Sequence, residues 1–373
     1  YLENDFRGFG FATENKTNNI TIKHSFYQDV GRQGQTYKTQ TFDTDSSLFQ
    51  QQDFTWNTTT NSDNVHTTLL LEENESTIDG TSGNPKTTKV EYVYDQYGNA
   101  VVKNSLGDLA ISGDEKYEYS NFVYNITAWI VNTQSIYTLY DSANVTKLRE
   151  TQYSYDDQSF GSSPVRGDVT KKENVLEGGS NSIITYEYDL YGNVINVTDP
   201  AGKTTLYTFG IKDITFTFPD QETNHKGHVK EASYDLGTGN ILSVIDANGF
   251  VTNYTYDVFS RIKKEILPLD TVSQPTQEYT YTFDGTAPET IKIEQREQNA
   301  TGNTFDTYQY HDGFGEVSQK KSEAEGTFLN SKQVVENAYR DESYRVEAAD
   351  NKYIVSADSQ YASPDGSINQ TLF

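Results

Sequence analysis

One phrase recurs along this chain: Tyr-Asp, then Gly-Asn, a short apolar strand, Asp-x-x-Gly, and a Tyr/Thr-rich strand. It reads YEYDLYGNVINVTDPAGKTTLYTF from Tyr186 to Phe209, and again SYDLGTGNILSVIDANGFVTNYTYD from Ser233 to Asp257. The spacing from Asn193 to Gly202 is the same as from Asn240 to Gly249. A partial copy, EYVYDQYGNAVV, occupies Glu91–Val102. Repetition on a scale of ~20 residues means that one supersecondary unit stacks on itself. Architecture is therefore fixed before any site is considered, and a scaffold role is favoured over an active site.

The phrase has the physics of a β-hairpin. Strand side chains alternate, so Ile184, Tyr186 and Tyr188 share one face, as do Thr252, Tyr254 and Tyr256. Gly192 and Gly239, each followed by Asn (Asn193, Asn240), can take the positive φ that a reversal requires. Asp199-Pro200-Ala201-Gly202 reads as a type I turn, and Asp246-Ala247-Asn248-Gly249 repeats it. Tyr and Thr suit a half-buried pleated surface. The fold class expected is all-β: stacked antiparallel hairpins forming a long twisted ribbon.

Lys and Arg number 29 against 54 Asp and Glu, a net charge of −25. Nucleic acids and anionic membrane surfaces recruit Lys and Arg, so neither is an expected partner. The surplus instead keeps a large sheet soluble and discourages edge pairing. The absence of Cys removes disulfides and thiolate metal sites. No apolar run approaches the ~18 residues of a membrane helix. With no Met and no leader at Tyr1, the sequence is read as a processed product or a piece of something longer.

Three regions are expected: 1–86, a β region with strands at Ile20–Phe26, Tyr37–Phe42 and Phe54–Thr60; 87–317, the repeat ribbon; and 318–373, irregular and β. Loops are expected at Asn74–Lys86, Gln158–Arg166 and Leu176–Asn181, where Gly, Pro, Asn and Ser gather. Gln333–Arg340, after the breaker Gly326, reads as a short helix.

Several segments then carry a resemblance. The Tyr-Asp/Gly-Asn phrase resembles the RHS/YD-repeat family. Asp5–Gly10 (DFRGFG) and Gly34–Trp56 resemble the start of the repeat shell in Tc-toxin B components and SpvB-type proteins. Phe259–Thr271 resembles that family's YD-x-x-GR segment, with Ser260 where Gly is usual. His311–Gly326 resembles its DGFGR element, with Glu316 replacing Arg, and Tyr353–Phe373 resembles a later strand pair. The resemblance implies a hollow β-shell that encloses a toxic C-terminal polypeptide. It also implies that this chain stops short of most shell repeats and of the self-cleaving core motif, and lacks the preceding β-propeller.

Candidate chemistry is sparse. His225 and His228 have a helical metal spacing, but Gly227 and the sheet context favour a loop. Asp43-x-Asp45 lacks the Gly and distal Glu of a calcium loop. Gly8-x-Gly10 lacks the rest of a dinucleotide fingerprint. Glu323 and Glu325 suit a solvated segment better than a glycosidase pair. No nucleophile elbow is present. The Tyr-Asp aspartates fall where a carboxylate can accept backbone N–H groups. No catalytic, metal or cofactor site is expected; the structural positions are Gly192, Asn193, Gly202, Gly239, Asn240 and Gly249. Asn-x-Ser/Thr occurs at Asn15, Asn19, Asn57, Asn74, Asn125, Asn144, Asn196, Asn253, Asn299 and Asn369. Chance in an Asn/Thr-rich chain and glycosylation of a secreted protein both account for these.

The expected function is thus a non-catalytic shell segment of an extracellular, toxin-B-like protein. Its partners would be the remainder of its own polypeptide or toxin-complex subunits. The alternative is an extracellular adhesion or filament protein built from the same ribbon, with self-association as its contact.

Overall fold

The computed structural model describes residues 8–16, 20–78, 85–176, 178–285, 288–299, 302–313, 315–324, 332–340, 346–349, 353–356, 360–362 and 371–372. Among these there are 27 strands and no helix. The sequence divides into two compact units, Tyr1–Thr204 and Thr205–Phe373.

In the first unit each strand pairs antiparallel with its neighbours in sequence, from Phe11–Asn15 on Thr21–Phe26 to Ser182–Tyr188 on Val194–Thr198. In the second unit the same order runs from Thr204–Thr208 to Lys332–Arg340. The fold is all-β and made of consecutive hairpins, because each turn lies only a few residues from the strands it joins.

Two expectations are corrected. Gln333–Arg340 is not a helix: it lies in the strand Lys332–Arg340, which pairs with Val317–Glu323. Its run KQVVENAYR carries Val and Tyr, and an available strand edge overrides local helix propensity. The loop expected over Asn74–Lys86 is shorter, since Asn74–Thr77 continue the strand His66–Thr77 and Lys86 opens the next. Thr77 faces Lys86 in that pairing. Glu325 and Gly326 lie outside the described residues, as does most of Tyr353–Phe373.

The core is thin. Among the described residues the buried apolar side chains are Tyr155, Pro164, Ile266, Pro275, Tyr310, Ala324 and Val335. Most strand positions are half-buried on both faces, as for a sheet one layer deep. Hydrogen-bonded ladders and turns therefore carry an unusual share of the stability, which directs attention to the turns.

Candidate functional site

The repeated phrase folds into one turn, built on its aspartate. At Asp189 the backbone N–H donates to the Asn193 carbonyl (3.0 Å), and the Gly192 N–H donates back to the Asp189 carbonyl (3.3 Å). The carboxylate oxygen Oδ1 accepts the N–H groups of Tyr191 (2.8 Å) and Asn193 (2.9 Å). Oδ2 accepts the Asn193 side-chain amide at 3.0 Å. Each letter of Asp-x-x-Gly-Asn thus has an assigned bond. Asp95 makes the same set with Tyr97 and Asn99. Asp199, Asp246 and Asp257 accept their i+2 and i+4 amides in the same way. Asp235 heads a loop one residue longer and accepts from Gly237 and Thr238.

The last loop position is left-handed at each of these glycines: φ is 88° at Gly192, 74° at Gly202, 77° at Gly239 and 84° at Gly249. Ser260 takes the same place at φ 62°. Its neighbour Arg261 replaces the usual Asn, and its Nε donates to Asp257 Oδ2 at 2.7 Å. The guanidinium also lies 4.2 Å from the Tyr281 ring centroid, an added cation–π contact.

The Tyr of Tyr-Asp has two roles. It marks a bulge, where the register slips at Val93/Tyr94, Glu187/Tyr188, Ser233/Tyr234 and Thr255/Tyr256. The hairpin at Asp246 has no such slip. A bulge adds local twist, so a repeated bulge adds it at regular steps. The Tyr hydroxyl also reaches back one hairpin. Tyr188 donates to the Val169 carbonyl (2.7 Å) and Tyr256 to Ile241 (2.9 Å); Tyr281, followed by Thr282 rather than Asp, makes the same kind of bond to Ile262 (2.8 Å). Each acceptor opens the strand that follows the preceding turn, so consecutive turns along the edge are tied together.

Three aspartates with comparable work escaped the sequence reading. Asp156 accepts four consecutive backbone N–H groups, from Val165 (2.7 Å), Arg166, Gly167 and Asp168 (3.1 Å each). Fully buried Asp220 accepts from Ile211 (2.6 Å) and Asp213 (2.9 Å). Asp213 accepts from Thr215, Thr217 and Phe218 (2.8 Å each). Tyr155-Asp156 was a legible signal; Asp213 and Asp220 sit outside any repeat and had none.

These bonds favour the ionised carboxylates. The Thr215 hydroxyl, with burial opposing and the amides of Thr215, Thr217 and Phe218 assisting, holds Asp213 at about 2. Burial alone would raise Asp95, Asp156, Asp189 and Asp257, but the side-chain and amide donors outweigh it and lower all four. A depressed folded-state pKa adds stability above the unfolded value of about 3.9 that is lost as pH falls through the folded one. Unfolding followed by circular dichroism is therefore expected to be flat above about pH 5 and to collapse between about pH 4 and 2. A midpoint nearer pH 6 would contradict this.

A recess of about 510 Å³ lies beside this machinery, lined by Asp156, Arg166, Asp168, Glu187 and Tyr188 among others. Two of these acids pair with neighbouring side chains: Asp168 with Arg166 Nε at 3.0 Å, and Glu187 with the Asn196 amide at 2.6 Å. Among the described residues no group of three or more His, Cys, Asp or Glu is placed to hold a metal. His225 and His228 sit in a tight turn whose Asn224 side chain accepts the Lys226 and His228 N–H groups. Asp45 Oδ1 accepts the Ser47 N–H at 2.8 Å, and the Gly10 carbonyl accepts the Phe26 N–H at 2.9 Å.

Of the sequons, Asn15, Asn57, Asn144, Asn253 and Asn299 are exposed, while Asn74, Asn125 and Asn196 are half-buried. The side-chain amides of Asn125 and Asn144 donate to the Pro164 carbonyl and the Tyr119 hydroxyl, each at 2.7 Å. Asn19 and Asn369 lie outside the described residues.

No family profile matches the chain, and no curated sequence does. Solved structures do. The crystal structure of TcdB2-TccC3 matches 94% of this chain with a TM-score of 0.65 and 11% identity. The chain shares the fold of a segment of TcdB2-TccC3. The form without the hypervariable C-terminal region gives a TM-score of 0.68 at 10% identity, again over 94% of this chain. TcdB2-TccC3-Cdc42 gives 0.66 at 10% identity. This chain spans 28 to 30% of those proteins. At such low identity what is shared is the fold, and the aspartate turns are the local chemistry that builds it here.

Proposed function

We propose that this chain is a non-catalytic wall segment of a secreted, toxin-B-like RHS/YD-repeat protein, which together with the rest of a longer polypeptide encloses or presents a C-terminal chain. The observation that carries this is the match of nearly the whole chain to under a third of TcdB2-TccC3. The thin core supports it: a sheet half-exposed on both faces suits a wall that further protein covers. Apolar turn tips agree, with Leu190 90% exposed, Val258 93% and Phe259 76%. Such tips suit contacts with further wall or with other toxin-complex subunits.

Turnover tests the reading. The chain is expected to cleave neither glycan nor peptide substrates and not to cleave itself, and the double substitution Glu323→Gln, Glu325→Gln is expected to change nothing. Turnover by the chain that this variant loses would replace the wall with an enzyme. For the extracellular part of the proposal, material from a glycosylating secretory host is expected to exceed the sequence mass of 42.1 kDa. Exposed Asn57 and Asn253 are the first acceptors expected to carry sugar, and bare mass would remove that part.

A further inference from the structure

Beyond Asp213 and Asp220, the most buried polar side chains of the second unit do not serve turns. Gln319 and Lys321, on the strand Val317–Glu323, are fully buried, and Asn337 on the neighbouring strand is 3% exposed. Gln319 and Asn337 are register partners, and the Gln319 amide donates to Asn337 Oδ1 at 2.6 Å. The same amide meets a segment far along the chain. Its Nε2 donates to the Ala362 carbonyl and its Oε1 accepts the Ala362 N–H, both at 2.8 Å. Two residues on, Lys321 Nζ donates to the Gln360 carbonyl at 2.8 Å.

The spacing explains the arrangement. Residues i and i+2 of a strand share a face and lie ~6.5–7 Å apart, close to the repeat of carbonyls at alternate residues of an extended peptide. Gln319 presents a C=O and an N–H as a neighbouring strand would, and Lys321 supplies the next donor. Each of these bonds ends on a backbone atom of Gln360–Ala362. A side-chain contact is made by Tyr361, whose ring meets Tyr310 edge-on at 5.6 Å.

We propose that Gln319, Lys321 and Asn337 form a clamp for the main chain of an extended peptide, indifferent to its sequence, and that Gln360–Ala362 occupies it as an internal ligand. Donors and acceptors buried to this degree need partners, and an extended backbone supplies carbonyls and amides at the required repeat whatever its side chains. The clamp makes Gln360–Ala362 a strap across the face of the strands Thr304–His311, Val317–Glu323 and Lys332–Arg340.

Hydrogen exchange on the whole 373-residue chain, read by mass spectrometry at the amides of 360–362, tests this. In the unsubstituted chain the Ala362 amide is expected to be protected. Gln319→Leu is expected to speed exchange across 360–362 by tenfold or more, and Ala362→Pro, which has no amide at 362, to do so at the amides of Gln360 and Tyr361. Lys321→Met is expected to act at the same segment. Gln360→Ala and Ala362→Ser keep the backbone and are expected to leave protection within about threefold. Exchange in Ile241–Ile245 and Val251–Tyr256 serves as the folding control, and Gln319→Asn, one methylene short, as a milder probe if Gln319→Leu fails it. Unchanged exchange in the Gln319 variants, with faster exchange in Tyr361→Ala, would overturn the clamp in favour of simple aromatic packing.

Discussion

Replacing Asp156 by Ala is expected to destabilise the first unit by about 3–5 kcal/mol, the largest effect of any single turn aspartate. The residue closes a long loop after the strand Lys147–Tyr155. Asp156 and Asp157 both have positive φ, 53° and 55°, and the Gln158 N–H donates to the Tyr155 carbonyl at 2.8 Å. This is a type I′ turn without glycine, a strained arrangement that the surroundings must hold. What holds it is the carboxylate, gathering four successive amides from Val165 to Asp168. A hydrogen bond to a charged group contributes about 1.5–3 kcal/mol. Val165 is 60% exposed, so water replaces part of the loss and the sum falls well below four full bonds. Asp156→Asn keeps one acceptor oxygen without the charge and should lose about half as much. Denaturant titration measures both; a loss under about 0.5 kcal/mol for the Ala variant, the usual range for an indifferent surface site, would mean the carboxylate does not organise the loop.

The second large effect is expected at the left-handed positions, and it should be unequal. Gly239 combines φ 77° with a close neighbour: an added Cβ would stand 3.2 Å from Phe218 Cζ, in a ring stacked on Tyr234 at 4.8 Å. Gly192 has φ 88°, but its nearest such neighbour is the flexible end of Arg166 at 3.9 Å. A β-branched residue at positive φ costs roughly 1–3 kcal/mol from backbone strain alone. Gly192→Val should therefore lose about that amount, and Gly239→Val about 1 kcal/mol more, because packing is disturbed as well. Ser260→Gly should go the other way and stabilise by up to about 1 kcal/mol, since Ser260 already holds φ 62° without being glycine. Asn253→Val, on an exposed strand face, is the neutral control. Equal shifts in Tm for all four would show that φ at these turns is not the constraint.

Much of this was legible because the code is local. Asp-x-x-Gly-Asn names an acceptor, a left-handed residue and a second donor within five positions, and the turns at Asp95 and Asp189 use all of them. Strand alternation likewise made the hairpin order readable from Tyr and Thr. Less local features were not legible. The bulge beside Tyr188 or Tyr256 coincides with a Tyr-Asp pair, but only the pairing register reveals it. Asp213 and Asp220 pair with amides set by a loop without a repeat. Lys332–Arg340 contains good helix formers and became a strand because Val317–Glu323 offered an edge. The Gln319–Ala362 pairing joins residues 43 apart in sequence, a separation no periodicity reports.

The central claim, that this ribbon forms part of a wall around a C-terminal polypeptide, is tested most directly by protease protection of the longer product that the proposal assigns to this chain. The product is digested under native conditions and its C-terminal polypeptide followed by mass spectrometry, with and without prior acid treatment at about pH 2, the low end of the range over which the fold is expected to collapse. The account predicts that the C-terminal polypeptide survives native digestion and is degraded after acid treatment. Degradation at the same rate in both states would contradict it.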